Sequence, residues 1–152
     1  MITVDIQSNE IGPALRRLQA RLGNLSPALA GIGQELENRI KNRFESHTDP
    51  SGAAWIGWAD STIKNYPADA NRRLLDRYGD MLGSLSWQIQ DSASVAVGFG
   101  QPYAAYHEFG TTRMPRRGLL TADPEAGTLA PADEQAVLDV LYDLLDAALD
   151  GR

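Results

Sequence analysis

Leu85-Ser86-Trp87-Gln88-Ile89-Gln90-Asp91-Ser92-Ala93-Ser94-Val95-Ala96-Val97-Gly98-Phe99 carries the pattern on which the fold class turns. Leu85, Trp87 and Ile89 alternate with polar partners, Asp91-Ser92-Ala93 are turn formers, and Val95, Val97 and Phe99 alternate again. This period of two predicts an antiparallel hairpin inside a region, residues 74–100, that carries the clearest β signal of the chain. Near the start, Ile2, Val4 and Ile6 alternate with Thr3, Asp5 and Gln7, which predicts another half-buried strand.

Between and beyond these strands the apolar period lengthens to that of helices. Ile11, Leu15, Leu18, Leu22 and Leu25 recur every three or four residues, with Ser8 or Asn9 as cap and Pro13 in the first turn. Ser26-Pro27 opens a second helix striped by Leu29, Ile32, Leu36, Ile40 and Phe44. Glu35, Glu37, Arg39, Lys41 and Arg43 are expected on its other surface, and Gly31 and Gly33 weaken its start. The turn formers of residues 47–52 end it, and a short helix is expected from about Asp60 to Tyr66, before Pro67. Residues 102–109 read as an aromatic turn or short helix ended by Gly110. Residues 111–121 read as an extended arm that can include a short strand and pair with a sheet edge. A last helix, from about Ala132 to Leu149, has an apolar side (Val137, Leu138, Leu141, Leu145) and an acidic one (Asp139, Asp143, Asp146, Asp150). Strands and helices that do not alternate as βαβ units predict an α+β fold, an antiparallel or mixed sheet with packed amphipathic helices, in one domain covering residues 1–152.

Composition narrows the function. The 152 residues include no cysteine, which removes disulfides, thiolate metal sites and a cysteine nucleophile. No basic stretch followed by an apolar run opens the chain and no segment approaches a membrane span, so a soluble, unprocessed chain without a membrane partner is expected. A net charge of -6 argues against general nucleic-acid coating. The charge is uneven, however. Arg72, Arg73, Arg77, Arg113, Arg116 and Arg117 cluster in the middle while the last helix is acidic, an asymmetry suited to registering neighbouring subunits.

Catalytic patterns are absent. His47 and His107 lack the company of a metal site, no Gly-x-Ser-x-Gly elbow occurs, and Gly98-Phe99-Gly100 lacks the further residues of a nucleotide loop. Neither a metal nor a cofactor is expected. Glu108 and Asp80 are the acids that position alone allows for a small hydrolase. The arginine clusters allow a DNA-binding assembly factor. Trp55 and Trp58, in or beside a loop, are core anchors or interface hot spots.

In order along the chain stand Leu25-Ser26-Pro27-Ala28-Leu29, Arg43-Phe44, Asp49-Pro50-Ser51-Gly52 with Trp55, Leu74-Leu75, Gly79 and Met81-Leu82-Gly83-Ser84-Leu85. They are followed by Val97-Gly98, Pro102-Tyr103-Ala104-Ala105-Tyr106-His107-Glu108-Phe109-Gly110, Met114-Pro115-Arg116-Arg117 and Leu119-Leu120. This succession resembles the phage virion morphogenesis, or tail-completion, family over nearly the whole chain. Gly118 departs from it, standing where a proline or bulky residue is expected, and loosens the predicted conformation of the arm. The resemblance implies a noncatalytic structural protein of the virion, made in the host bacterial cytoplasm. Its place would be the head-tail junction, as a tail terminator or neck component, with a head-tail adaptor or connector as the alternative. It implies a homo-oligomeric ring, commonly six-fold, whose partners are other neck proteins, the tail tube protein and the DNA in the channel. The interface candidates on that reading are Trp55, Trp58, Tyr103, Tyr106, His107, Phe109, Arg113, Arg116, Arg117, Leu119 and Leu120.

Overall fold

A computed structural model describes residues 10–150. The order of elements is α1 (Ile11–Leu22), α2 (Ser26–Ser46), α3 (Asp60–Lys64), α4 (Asp80–Gly83), β1 (Leu85–Asp91), β2 (Ser94–Phe99), α5 (Ala104–Phe109) and α6 (Pro131–Leu149). The fold is α+β. Among the described residues the sheet is the antiparallel pair β1-β2, registered Leu85 to Phe99, Trp87 to Val97 and Ile89 to Val95. The expected strand at residues 2–7 and the caps Ser8 and Asn9 lie outside the described residues.

α2 is the spine, because its apolar stripe is longer than any one neighbour can cover. Its first half packs Ala28, Leu29 and Ile32 against Ala14 and Leu18 of α1 and Val137, Leu138 and Leu141 of α6. Its second half packs Ile40 and Phe44 against Trp55, Met81, Leu85, Phe99, Ala104 and Leu119. Phe44 sits at the centre of the second cluster, edge-on to Trp55 at 5.9 Å and to Phe99 at 6.1 Å. Gly33 has a packing reason that helix propensity hides. A Cβ there would lie 2.6 Å from the Trp87 ring, so only glycine lets the hairpin approach the helix.

Four expectations change. The first helix stops at Leu22, where Gly23 turns at φ 70°, and Leu25 is buried from the next segment instead. Arg43 is 6% exposed and not on the solvated side, because it follows Leu36 by seven residues and Ile40 by three, on the apolar face. The β signal of residues 74–84 gives no strand; Asp80–Gly83 forms a helical turn, and a strand begins only at Leu85. Residues 111–121 contain no strand, and Gly118 does not loosen them: a Cβ there would meet the Arg116 guanidinium at 2.6 Å, so glycine makes room for an ordered side chain.

Candidate functional site

α5 divides its faces sharply. Ala104 and Glu108, four apart, point inward and are both fully buried. Tyr103, Tyr106 and Phe109, three apart, point outward and are 40%, 58% and 41% exposed. Gly110 ends the helix, donating its N–H to the Tyr106 carbonyl at 2.9 Å. A tight loop follows, in which the Thr111 hydroxyl accepts the N–H groups of Arg113 and Met114 at 3.2 and 3.0 Å and leaves Arg113 exposed at the tip.

The chain then returns under α5, and side chains take the place of a sheet ladder. The Glu108 carboxylate accepts the backbone N–H groups of Leu119 (2.6 Å), Leu120 (2.9 Å) and Thr121 (3.0 Å). It also accepts the Thr121 hydroxyl at 2.6 Å and Arg116 Nη2 at 3.3 Å. Arg116 donates onward to the carbonyls of Glu108 and Thr121, each at 2.6 Å. Trp55 Nε1 donates to the Gly118 carbonyl at 3.0 Å and Arg43 Nη1 to the Leu119 carbonyl at 2.6 Å. Arg117 fixes the Trp55 loop from the other side, donating to the carbonyls of Ile56 and Gly57 at 2.7 and 2.8 Å. Buried backbone polar groups need partners, and here an irregular segment obtains them from one carboxylate, two arginines and an indole.

The network reaches α6 through Asp133, which is fully buried and pairs with both Arg43 and, at 2.7 Å, Arg39. Asp133 stands four residues before Val137 and eight before Leu141, a charge on an apolar stripe. Glu108, Arg43 and Asp133 are the functional-site residues that sequence reasoning missed or misplaced. Their common signal is a lone charge at an apolar helix position.

The named candidates therefore separate. Trp55 (7% exposed), Arg117 (8%) and Leu119 (0%) lie inside the protomer and support it, which for Trp55 is the core-anchor reading. Arg116 is half-buried in the hub, and Leu120 is half-buried beside the second core. His107 is half-buried with Nδ1 unpartnered; burial and then the neighbouring Arg117 hold its pKa below the ordinary value. Burial likewise lowers that of Arg117. Trp58 stacks on Tyr66 at 4.5 Å, and Tyr66 also carries Arg72 and Arg77 against its ring. Tyr103, Tyr106, Phe109 and Arg113 remain on the outside.

The hydrolase reading loses Glu108, and the DNA-binding reading three of its six arginines, to this arrangement. Glu108 is sealed beneath α5 with both oxygens accepting structural donors, so it is not available to a substrate. Of the six arginines read as basic clusters, Arg116 and Arg117 bind the protomer's own carbonyls and Arg73 pairs with Glu45 and Asp76. Among the described residues there is no group of three His, Cys, Asp or Glu able to hold a metal, and no helix is long and apolar enough to cross a membrane.

Comparison with known proteins agrees in scale with this whole-chain organisation. The sequence pattern of the phage virion morphogenesis family matches residues 6–146. The chain is 26% identical over 145 residues to the Mu-like prophage FluMu G protein 2 of Haemophilus influenzae, covering 94% of this chain and 95% of that protein. No solved structure matches.

Proposed function

The chain belongs to the phage virion morphogenesis family, and from that premise we propose that it is a ring subunit at the head-tail junction, completing or terminating the tail so that a filled head can join it. Its role in building the virion is structural. The observation that supports the finer reading is the aromatic row Tyr103, Tyr106 and Phe109, exposed along a six-residue helix and the residue that caps it, with the opposite face locked by Glu108. A lone protomer gains little from three large aromatics in water, whereas protein interfaces are enriched in them and favour rigid presentation.

The exposed acids of α6, Asp139, Asp143 and Asp146, supply a second surface of opposite character to the Arg113 tip. Two unlike surfaces on one subunit make a head-to-tail contact, which closes as a ring when the rotation per subunit divides a full turn. A six-fold ring, with the tail tube protein and other neck proteins above and below it, is the assembly we propose. Channel DNA would pass through the centre.

Removing the gene from its phage and viewing particles by negative-stain electron microscopy tests this. Filled heads beside separate or overlong tails are expected. Restoring the gene with Tyr106→Glu should leave that defect in place, whereas normal joined particles in the deletion would refute the role.

A further inference from the structure

Residues 56–78 carry a further exposed surface, built around one aromatic ring. The Tyr66 hydroxyl donates to the Asn71 carbonyl, and the Asn71 N–H donates to the Arg77 carbonyl at 2.8 Å, which fixes the loop as a platform. Trp58 stacks on Tyr66, and the guanidinium carbons of Arg72 and Arg77 lie 5.4 and 5.1 Å from the Tyr66 ring centre. The two charges are therefore within about 10 Å of each other, held by attraction to one π face. Both side chains are exposed, and among the described residues neither meets a carboxylate. Ile56, Ile63 and Tyr78 are exposed on the same segment. Two unpaired cations among large apolar groups suit an acidic surface with apolar residues of its own.

α6 presents such a surface. It carries no basic residue, and its exposed positions Asp139, Tyr142, Asp143, Asp146 and Leu149 recur every three or four residues, so they form one stripe. Successive carboxylates along it stand about 5–6 Å apart, and Asp139 and Asp146 about 10 Å, which matches the reach of the two guanidinium groups. The stripe and the platform sit at opposite ends of α2. Arg73 ties the platform to the C-terminal end of that helix, through the Phe44 carbonyl at 3.3 Å and Glu45 at 2.7 Å. α6 instead packs Val140 against Gly31, and Leu141 into the cluster of Leu29 and Ile32. Gly31 and Glu45 are about 20 Å apart along the helix axis, so the two surfaces do not pair within one protomer.

We propose that the Tyr66 platform docks α6 of a second copy of this chain, with Arg72 and Arg77 on its exposed aspartates and Trp58, Ile63 and Tyr78 around Tyr142 and Leu149. The proposal rests on the ring reading and deepens it by naming the contact through which subunits join. Unlike surfaces at the two ends of one helix make that contact head-to-tail, the kind that closes as a ring or continues as a filament.

Sedimentation equilibrium on the full chain and on two double variants tests it. Arg72→Ala with Arg77→Ala removes the platform's cations, and Asp143→Arg with Asp146→Arg reverses the stripe. All four positions are exposed, so both variants should fold, with Tm within about 2 °C of the unaltered chain. The unaltered chain is expected to gain mass with concentration, and each variant alone to self-associate at least about tenfold more weakly. Their equimolar mixture should form a pair and stop at two copies, because each variant supplies the one surface that the other has lost. A variant that associates like the unaltered chain overturns the proposal, as does a mixture no heavier than its parts. So does an unaltered chain that stays monomeric to about 1 mM. Where a double variant fails to fold, Arg77→Ala and Asp146→Arg alone carry the same test. Separate heads and tails in the deletion phage, beside a mixture that does not pair, would sink this contact alone; normal joined particles would sink the ring reading whatever the mixture does.

Discussion

Glu108→Gln keeps the side-chain volume and removes one acceptor oxygen from a carboxylate that accepts five bonds. The amide can turn two ways, and both fail. If its NH2 group faces the Leu119 and Leu120 amides, two donors oppose two donors; if it faces Thr121 and Arg116, three do. Leaving a buried donor without an acceptor costs about 1–3 kcal/mol, so the more tolerable orientation loses about 4 kcal/mol. Domains are stable by about 5–15 kcal/mol, and at this length each kcal/mol moves Tm by about 2–4 °C. The variant should therefore melt about 10 °C lower, measured by calorimetry and by urea titration followed at the helical circular dichroism band. Exchange at the Leu119 and Leu120 amides should accelerate beyond the global change, because the loss begins there. A Tm within about 2 °C of the unaltered protein would show that residues 116–121 are not held by this carboxylate.

Asp133→Ala should cost about 3–5 kcal/mol in urea unfolding, because it strands the buried Arg43 guanidinium; an effect below about 1 kcal/mol would contradict the pairing. Gly33→Ala should destabilise by about 1–3 kcal/mol through the Trp87 ring and quench or shift its fluorescence, in spite of alanine's better helix propensity. Tyr106→Ala should change stability by no more than about 0.5 kcal/mol and still lower the yield of joined particles; normal plaque formation would remove α5 from the contact surface. His107 binds its proton less readily folded than unfolded, because burial and Arg117 depress its pKa below 6.5. Its contribution is present above that value and fades as pH falls through it toward the folded pKa, at up to about 1.4 kcal/mol per pH unit. His107→Gln should flatten the stability profile just below pH 6.5; an unchanged slope would mean that the imidazole is not desolvated.

Periodicity was enough for the hairpin, the first two helices and the acidic last helix, because each buries one face and the period of two or of about three and a half survives in the order of residues. The turn at Gly23 was not legible, since Leu25 keeps the helical spacing across it and buries from the next segment. Nor was the reason for Gly33, which lies in a tryptophan more than fifty positions away. Local pattern also suggested a loose arm at residues 111–121, where proline, glycine and three arginines discourage regular structure. Long-range packing is what holds this segment in place. The partners of its amides and carbonyls are Glu108, Arg43, Arg116 and Trp55, side chains whose relevance depends on being brought to one spot and not on any spacing. A lone charge on an apolar helix face is the signal that Glu108, Arg43 and Asp133 carry in the sequence, and it was not read there. Which group each would meet was settled when α2, α5 and α6 packed around the same backbone, because a buried charge has to find its counterpart wherever the fold puts it.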